Sequence, residues 1–369
     1  MKDDNAYLMD GTPPEEFLKC LDSARDFAPE KVRNAADFAD EFERAWTNEE
    51  FQAGIELPWE VPVRIRLSEL TVWTGVTGSG KSTLIQYLMT WLMAHGERTL
   101  IASLETKAVR TLKRMSRQAF GGVLIPQGAL KECKNNDERD QLMARTKPDR
   151  DRTLAWMGRK LWIYNHAGIV KWRELRDDMR WARRRHGITQ FVIDNFMRLG
   201  IPKDDYAQQA DAITAMAADA QDLEVHIHAI VHQNKSDRSG KLAISGAQEI
   251  IGNAHNIMEV WRNEEKGQKL SDLWGKLKSG QMEAKEFNEK REVLERQCDG
   301  KFIWRKQRDA EGENTQDGSK MLWFLWQAQQ YVDHPPGHEA YREWKFIADE
   351  KPEEEDLPHE PPTETTDTH

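Results

Sequence analysis

Gly75-Val-Thr-Gly-Ser-Gly-Lys-Ser82 follows Leu70-Thr-Val-Trp-Thr74 and precedes Thr83-Leu-Ile-Gln-Tyr-Leu-Met-Thr-Trp-Leu-Met-Ala94. The leading run is apolar and β-prone. The trailing run has helical spacing and no Gly or Pro to break it. Strand, glycine loop and helix, in that order, are the setting in which G-x-x-x-x-G-K-[ST] works as a phosphate loop. Gly75, Gly78 and Gly80 let the backbone N–H groups, that of Ser79 included, turn toward a polyphosphate at the positive end of a helix. Lys81 then reaches the β- and γ-phosphates. The Ser82 hydroxyl is placed to ligate Mg²⁺, and Thr83 continues the cradle. The alternative, a glycine-rich turn with an incidental lysine, does not account for the flanking pattern.

Composition narrows the setting of this loop. The chain has 369 residues, 31% of them charged, and a mean hydropathy of −0.79. No apolar run approaches a bilayer span and no signal-peptide pattern follows Met1, so a cytoplasmic or nucleoid location is expected, with no membrane partner. Cys20, Cys133 and Cys298 lack CxxC spacing, which argues against a zinc ribbon or a disulfide framework. The net charge of −10 is concentrated in residues 349–369, where nine acidic residues meet one lysine; the rest of the chain is near −2. A near-neutral core can still carry a basic surface, so nucleic-acid binding is not excluded.

Working outward, strand and helix patterns alternate. Arg98–Leu104, Leu161–Tyr164, Gln190–Asp194 and Val225–Val231 read as strands, and Val170–His186 and Tyr206–Leu223 read as helices. This predicts an α/β fold, with a mostly parallel twisted sheet covered by helices on both faces. Residues 264–298 read as a helical insertion between the strands Ile257–Trp261 and Lys301–Arg305. Met321–Trp326 is a further strand. Residues 31–56 form a linker region whose helix carries Phe38, Phe42 and Trp46 on one stripe. The motor spans 57–348, and the acidic tail 349–369 is expected to be disordered.

Three further residues carry chemistry. Asp194 closes an apolar strand, as a Walker B aspartate does, and would hold Mg²⁺. Glu105 is expected at the tip of the strand beside the phosphate-loop strand, where a carboxylate can polarise the attacking water. His232 follows the apolar run ending at Val231, in position to hydrogen-bond the γ-phosphate. His226 and His228, in the same strand, read as structural.

Six segments in order resemble the DnaB-like hexameric replicative helicases, closest to Twinkle and the helicase half of bifunctional phage primase–helicases. They are G-V-T-G-S-G-K-S, Ala102–Glu105, Val192–Asn195, Val231–Lys235, Ser245–Glu249 and Lys306–Arg308. The resemblance covers residues 31 to 345 and implies a RecA-like P-loop NTPase core with an N-terminal linker helix. It implies ATP or dTTP as substrate and Glu105 as catalytic base. Arg308 becomes an arginine finger reaching a neighbouring subunit's nucleotide, with Lys306 beside it. Lys235, Arg238 and Lys241 fall in a central DNA-binding loop; Arg198 and Lys203 are further DNA candidates.

The implied activity is 5′ to 3′ translocation on single-stranded DNA by a hexameric or heptameric ring that unwinds forked duplex. Residues 1–30, with Lys2-Asp-Asp-Asn-Ala6, resemble the close of a TOPRIM primase domain, so a separately encoded primase is an expected partner. A DNA polymerase reached through the acidic tail is another. Two rivals remain at this stage: a RecA- or RadA-type recombinase, and a non-translocating prophage protein that binds replication partners.

Overall fold

Leu70–Thr74 forms β3, the middle strand of a nine-stranded sheet ordered β11-β10-β9-β8-β3-β7-β6-β4-β5. The computed structural model describes residues 34–40, 42–43, 54–125, 129–166, 168–202, 205–232, 252–307, 318–338 and 344–347. The sheet strands after β3 are β4 (Thr99–Ser103), β5 (Leu161–Ile163), β6 (Gln190–Asp194), β7 (His226–Ile230), β8 (Asn256–Arg262), β9 (Gly300–Gln307), β10 (Gly318–Leu325) and β11 (Gln330–Val332). Before β3, β1 (Ile55–Glu56) and β2 (Arg64–Ile65) pair antiparallel as a separate two-stranded sheet. The helices are α1 (Lys81–Ala94), α2 (Ala108–Phe120), α3 (Ala129–Glu132), α4 (Asn136–Gly158), α5 (Trp172–His186), α6 (Tyr206–Asp222), α7 (Glu264–Lys278) and α8 (Ala284–Glu295).

The six strands from β8 to β5 are parallel, as the strand–helix alternation predicts. The sheet is not parallel throughout. β8, β9, β10 and β11 pair antiparallel, because the helical insertion returns the chain beside β8 without a crossover and a tight turn then joins β10 to β11. Period-2 alternation divides the parallel strands between two cores. Leu70, Val72, Leu100, Ala102, Phe191, Ile193, Ile227 and Ala229 pack on one face, with α5 and α6. Trp73, Ile101, Val192 and Ile230 pack on the other, with α1. That helix is buried along nearly its whole length, as befits one covered on all sides.

The insertion is two helices, α7 and α8, with a small apolar cluster of its own: Leu273, Met282, Phe287 and Leu294. Lys266, almost fully buried, ties its root to Asp299 at 2.7 Å.

The chain divides into two units, Met1–Ala53 and Gly54–His369. In the first, Ala35–Phe38 forms a 3-10 turn, and Asn34 and Asp37 make a reciprocal capping box. Phe38 and Phe42 are both exposed. Trp46, the N-terminal stretch 1–30 and the tail 349–369 lie outside the described residues.

Candidate nucleotide site

Parallel pairing puts the C-terminal ends of β3, β7, β6 and β4 on one edge, the edge where ligands bind in open α/β sheets. The phosphate loop leaves β3 there. Gly75 has φ 142, and a Cβ on it would collide with the Val260 carbonyl oxygen of the neighbouring strand. Gly80 caps α1 at φ 94, and a Cβ there would meet the Tyr331 hydroxyl at 2.5 Å. No side chain caps α1, so its first-turn N–H groups remain available to an anion. Within the loop, Ser79 N donates to the Val76 carbonyl at 3.1 Å, while Thr83 at the first turn has its carbonyl held by Gln118 at 3.0 Å.

Lys81 is nearly buried, and its Nζ donates to the Gly75 carbonyl at 2.6 Å and the Val76 carbonyl at 3.0 Å. Burial pulls its pKa down to about 8, against the opposing pull of Asp194 and Glu105. Asp194, the last residue of β6, accepts a hydrogen bond from the Ser82 side chain. Burial raises its pKa. Glu105 adds to the rise, whereas Ser82, Arg114 and Lys81 oppose it. A hydroxyl and a buried carboxylate joined in this way are hard oxygen donors, and a Mg²⁺ completed by substrate phosphates needs no more than that from protein.

Glu105 arrives differently from the sequence expectation. Its strand β4 is not beside β3; β7 and β6 intervene. It still reaches the site because the parallel strands end together, and Leu104 N donates to the Asp194 carbonyl at 2.7 Å. Asn195 Nδ2 donates to Glu105 Oε1 at 2.7 Å, and Arg198 Nε lies 3.7 Å from the same oxygen. The strand that does adjoin β3 is β7, which delivers His232 two residues past its end. Burial lowers the His232 pKa, Lys81 lowers it further and Glu105 opposes, so the imidazole faces both groups.

Sequence reasoning missed four contributors. Arg262, the last residue of β8, donates from Nη1 to the Gly78 carbonyl at 3.3 Å. Arg114 on α2 bonds Gln86 of α1 at 3.1 Å and lies within electrostatic reach of Asp194. Tyr331 roofs Gly80. Asn195, beside the Walker B aspartate, was visible as part of a motif but carried no assigned role. Nothing local marks the other three.

His226 and His228 are structural, as expected. The Trp73 indole donates to His228 Nδ1 at 3.1 Å, so His228 Nε2 carries the proton given to Gln190 Oε1. His226 donates to the Arg66 carbonyl and accepts from Thr71 Oγ1 at 2.8 Å. Trp326 is 71% exposed in the turn after β10, not a core side chain of that strand.

Of the remaining candidates, Arg198 sits in the 3-10 turn Phe196–Arg198, against Glu105. Lys306 pairs with Ile257 near the start of β8, at the sheet edge opposite the phosphate loop, and its Nζ donates to the Ala254 carbonyl at 2.7 Å. Arg308, Lys203, Lys235, Arg238, Lys241 and the segment Ser245–Glu249 lie outside the described residues. Among the described residues no helix is long and apolar enough to cross a membrane.

No protein-family model matches the chain. Among solved structures, a helicase ATPase domain is similar with a TM-score of 0.59 and 14% identity, over 82% of this chain and 99% of that one. A DnaB-like replicative helicase, described for its interactions with primase, is similar with a TM-score of 0.56 and 13% identity, over 89% of this chain and 73% of that one. At these identities the likeness establishes the fold, that of a RecA-like ATPase domain similar to those of DnaB-like helicases.

Proposed function

We propose that this chain, which has the fold of DnaB-like helicase ATPase domains, is the motor of a ring-forming, NTP-dependent DNA helicase. The observation that carries the reading is the convergence of Lys81, the Ser82–Asp194 pair, Glu105 and His232 on one sheet edge. ATP or dTTP is the substrate. Lys81 holds the β- and γ-phosphates, and the loop N–H groups cradle them. Ser82 and Asp194 would hold Mg²⁺, which when bound withdraws charge from the phosphate oxygens. Glu105 takes the proton of the attacking water, and Asn195 fixes the orientation of the carboxylate. His232 hydrogen-bonds the γ-phosphate and loses that partner on hydrolysis.

Arg308 completes the site from a second copy. β9 ends beside the start of β8, so its exit lies about 15 Å from the phosphate loop of its own chain, four residues along and two strands across. A finger supplied in trans contributes about 10³ or more in rate. It also makes hydrolysis depend on a closed hexameric or heptameric ring. Loops leaving β6 and β7, with Arg198, Lys203, Lys235, Arg238 and Lys241, follow the phosphates of single-stranded DNA. Translocation is 5′ to 3′ in the cytoplasm at a replication fork, with a separate primase and a polymerase as partners.

The test is unwinding of forked DNA of both polarities by wild type and Arg308→Ala. Wild type should unwind only the fork with a 5′ loading strand. The variant should bind nucleotide and assemble normally, yet lose DNA-stimulated hydrolysis by about 10³. A ring with DNA-stimulated hydrolysis that unwinds neither fork would sink the helicase reading, and helical filaments in micrographs would favour a recombinase.

A further inference from the structure

Trp181 is 60% exposed near the end of α5. Its ring and that of Trp162, on the edge strand β5, both pack on His186 with centroids 5.0 Å away, at 78° and 31°. Arg184 and Arg185 are exposed on the same turn, and exposed Arg98 donates from Nη1 to the His186 carbonyl at 2.8 Å. None of the three guanidiniums is in an ion pair among the described residues. Basic side chains at a helix C-terminus complement its dipole, and Arg183 serves that purpose by bonding the Leu223 carbonyl at 3.0 Å. That role calls for no exposed indole. A ladder of three rings rimmed by arginines combines stacking faces with phosphate-binding charge.

Its place in the fold separates it from the nucleotide site. α5 ends where β6 begins, whereas the phosphate loop, Glu105 and the loops after β6 and β7 leave the opposite ends of the strands. Five-residue strands set the two edges about 16 Å apart.

We propose that the Trp162–His186–Trp181 ladder and its arginines form a second binding site for single-stranded nucleic acid, outside the loops that follow β6 and β7. Arg98, Arg184 and Arg185 contact phosphates, and Trp181 stacks on a base. An acidic peptide would use the cations but leave the indole without a purpose, which is why a nucleic-acid strand is the favoured occupant. Occupancy does not require hydrolysis, so the site stands or falls independently of the motor reading.

The experiment uses the full chain without nucleotide and a bromodeoxyuridine-substituted oligo(dT). Ultraviolet crosslinking should attach the oligonucleotide to the peptide carrying Trp181. Arg184→Glu with Arg185→Glu should weaken binding about tenfold and lower the log–log salt slope by about 1.4, at ~0.7 per phosphate on a single strand. Trp181→Ala should weaken binding about fivefold or more with the slope unchanged, since stacking carries no counterion release. DNA-independent hydrolysis and the thermal midpoint should stay at wild-type values in both variants, which separates loss of the site from misfolding. Unchanged affinity in both variants, with crosslinks confined to other peptides, would overturn the proposal. So would a synthetic 349–369 peptide that binds wild type but not the double arginine variant, with oligonucleotide affinity intact; the patch would then belong to an acidic segment.

Discussion

Asn195 Nδ2 donates to Glu105 Oε1 at 2.7 Å, so the residue after the β6 aspartate holds the carboxylate beyond the tip of β4. A hydrogen bond to a charged group contributes about 1.5–3 kcal/mol. Asn195→Ala should therefore lower kcat of NTP hydrolysis roughly 10- to 100-fold with KM little changed. Asn195→Asp, which sets a second carboxylate against Glu105, should lower it further. Steady-state kinetics of the two variants decide the point, and an unaltered kcat in Asn195→Ala would mean that Arg198 alone orients Glu105.

Glu105 and Lys81 should separate chemistry from binding. Glu105→Gln should retain nucleotide affinity while hydrolysis falls about 10²–10⁴-fold, the span a general base contributes. Lys81→Ala should lose nucleotide binding itself. Equilibrium binding of a fluorescent nucleotide, alongside single-turnover hydrolysis, distinguishes the two patterns.

Gly80 is confined by φ 94 and by the Tyr331 hydroxyl, 2.5 Å from any added Cβ. Gly80→Ala should destabilise the fold by about 1–3 kcal/mol through backbone strain, with further loss from the contact. Adding Tyr331→Phe should recover only part, because removing the oxygen leaves the left-handed backbone unchanged. Thermal midpoints of the single and double variants measure the division.

His226 makes stability pH-dependent. Burial lowers its folded pKa to about 4, from an ordinary value of 6.5. The unfolded chain therefore takes up the proton first, and the contribution, fully present above pH 6.5, is lost as pH falls toward 4. Integrated over that window it amounts to on the order of 3 kcal/mol. Urea unfolding between pH 7 and 4 should show the decline, and His226→Gln should flatten it.

The insertion should be separable from the core. Arg262 pairs with Gly300, so a short turn in place of 264–297 can close β8 onto β9 as a hairpin. Its apolar cluster is its own. The shortened chain should fold with a thermal midpoint within a few degrees of wild type and hydrolyse NTP. Loss of cooperative unfolding would show instead that the Lys266–Asp299 contact at the root supports the sheet.

The phosphate loop, the strand-end aspartate and the helical insertion were legible in the sequence because each is a local pattern. Glycine spacing, apolar periodicity and a charge at a strand end are written in consecutive residues. The alternation of strands with helices likewise announced the parallel pairing of β3, β4, β5, β6 and β7. Strand order was not legible. Glu105 was expected one strand from the phosphate loop and stands three away, since sequence order does not say which parallel strand slots between which. The antiparallel end of the sheet depends on how the insertion returns the chain. Arg262, Arg114 and Tyr331 reach the loop from 34 to 251 residues away in the chain, counting from Gly80, through pairing and packing that no local signal encodes. The sequence by itself determined that a triphosphate loop exists and which residues are chemically competent. Only the tertiary structure decided which of them share an edge, because that follows from the burial of both sheet faces, a property of the whole chain.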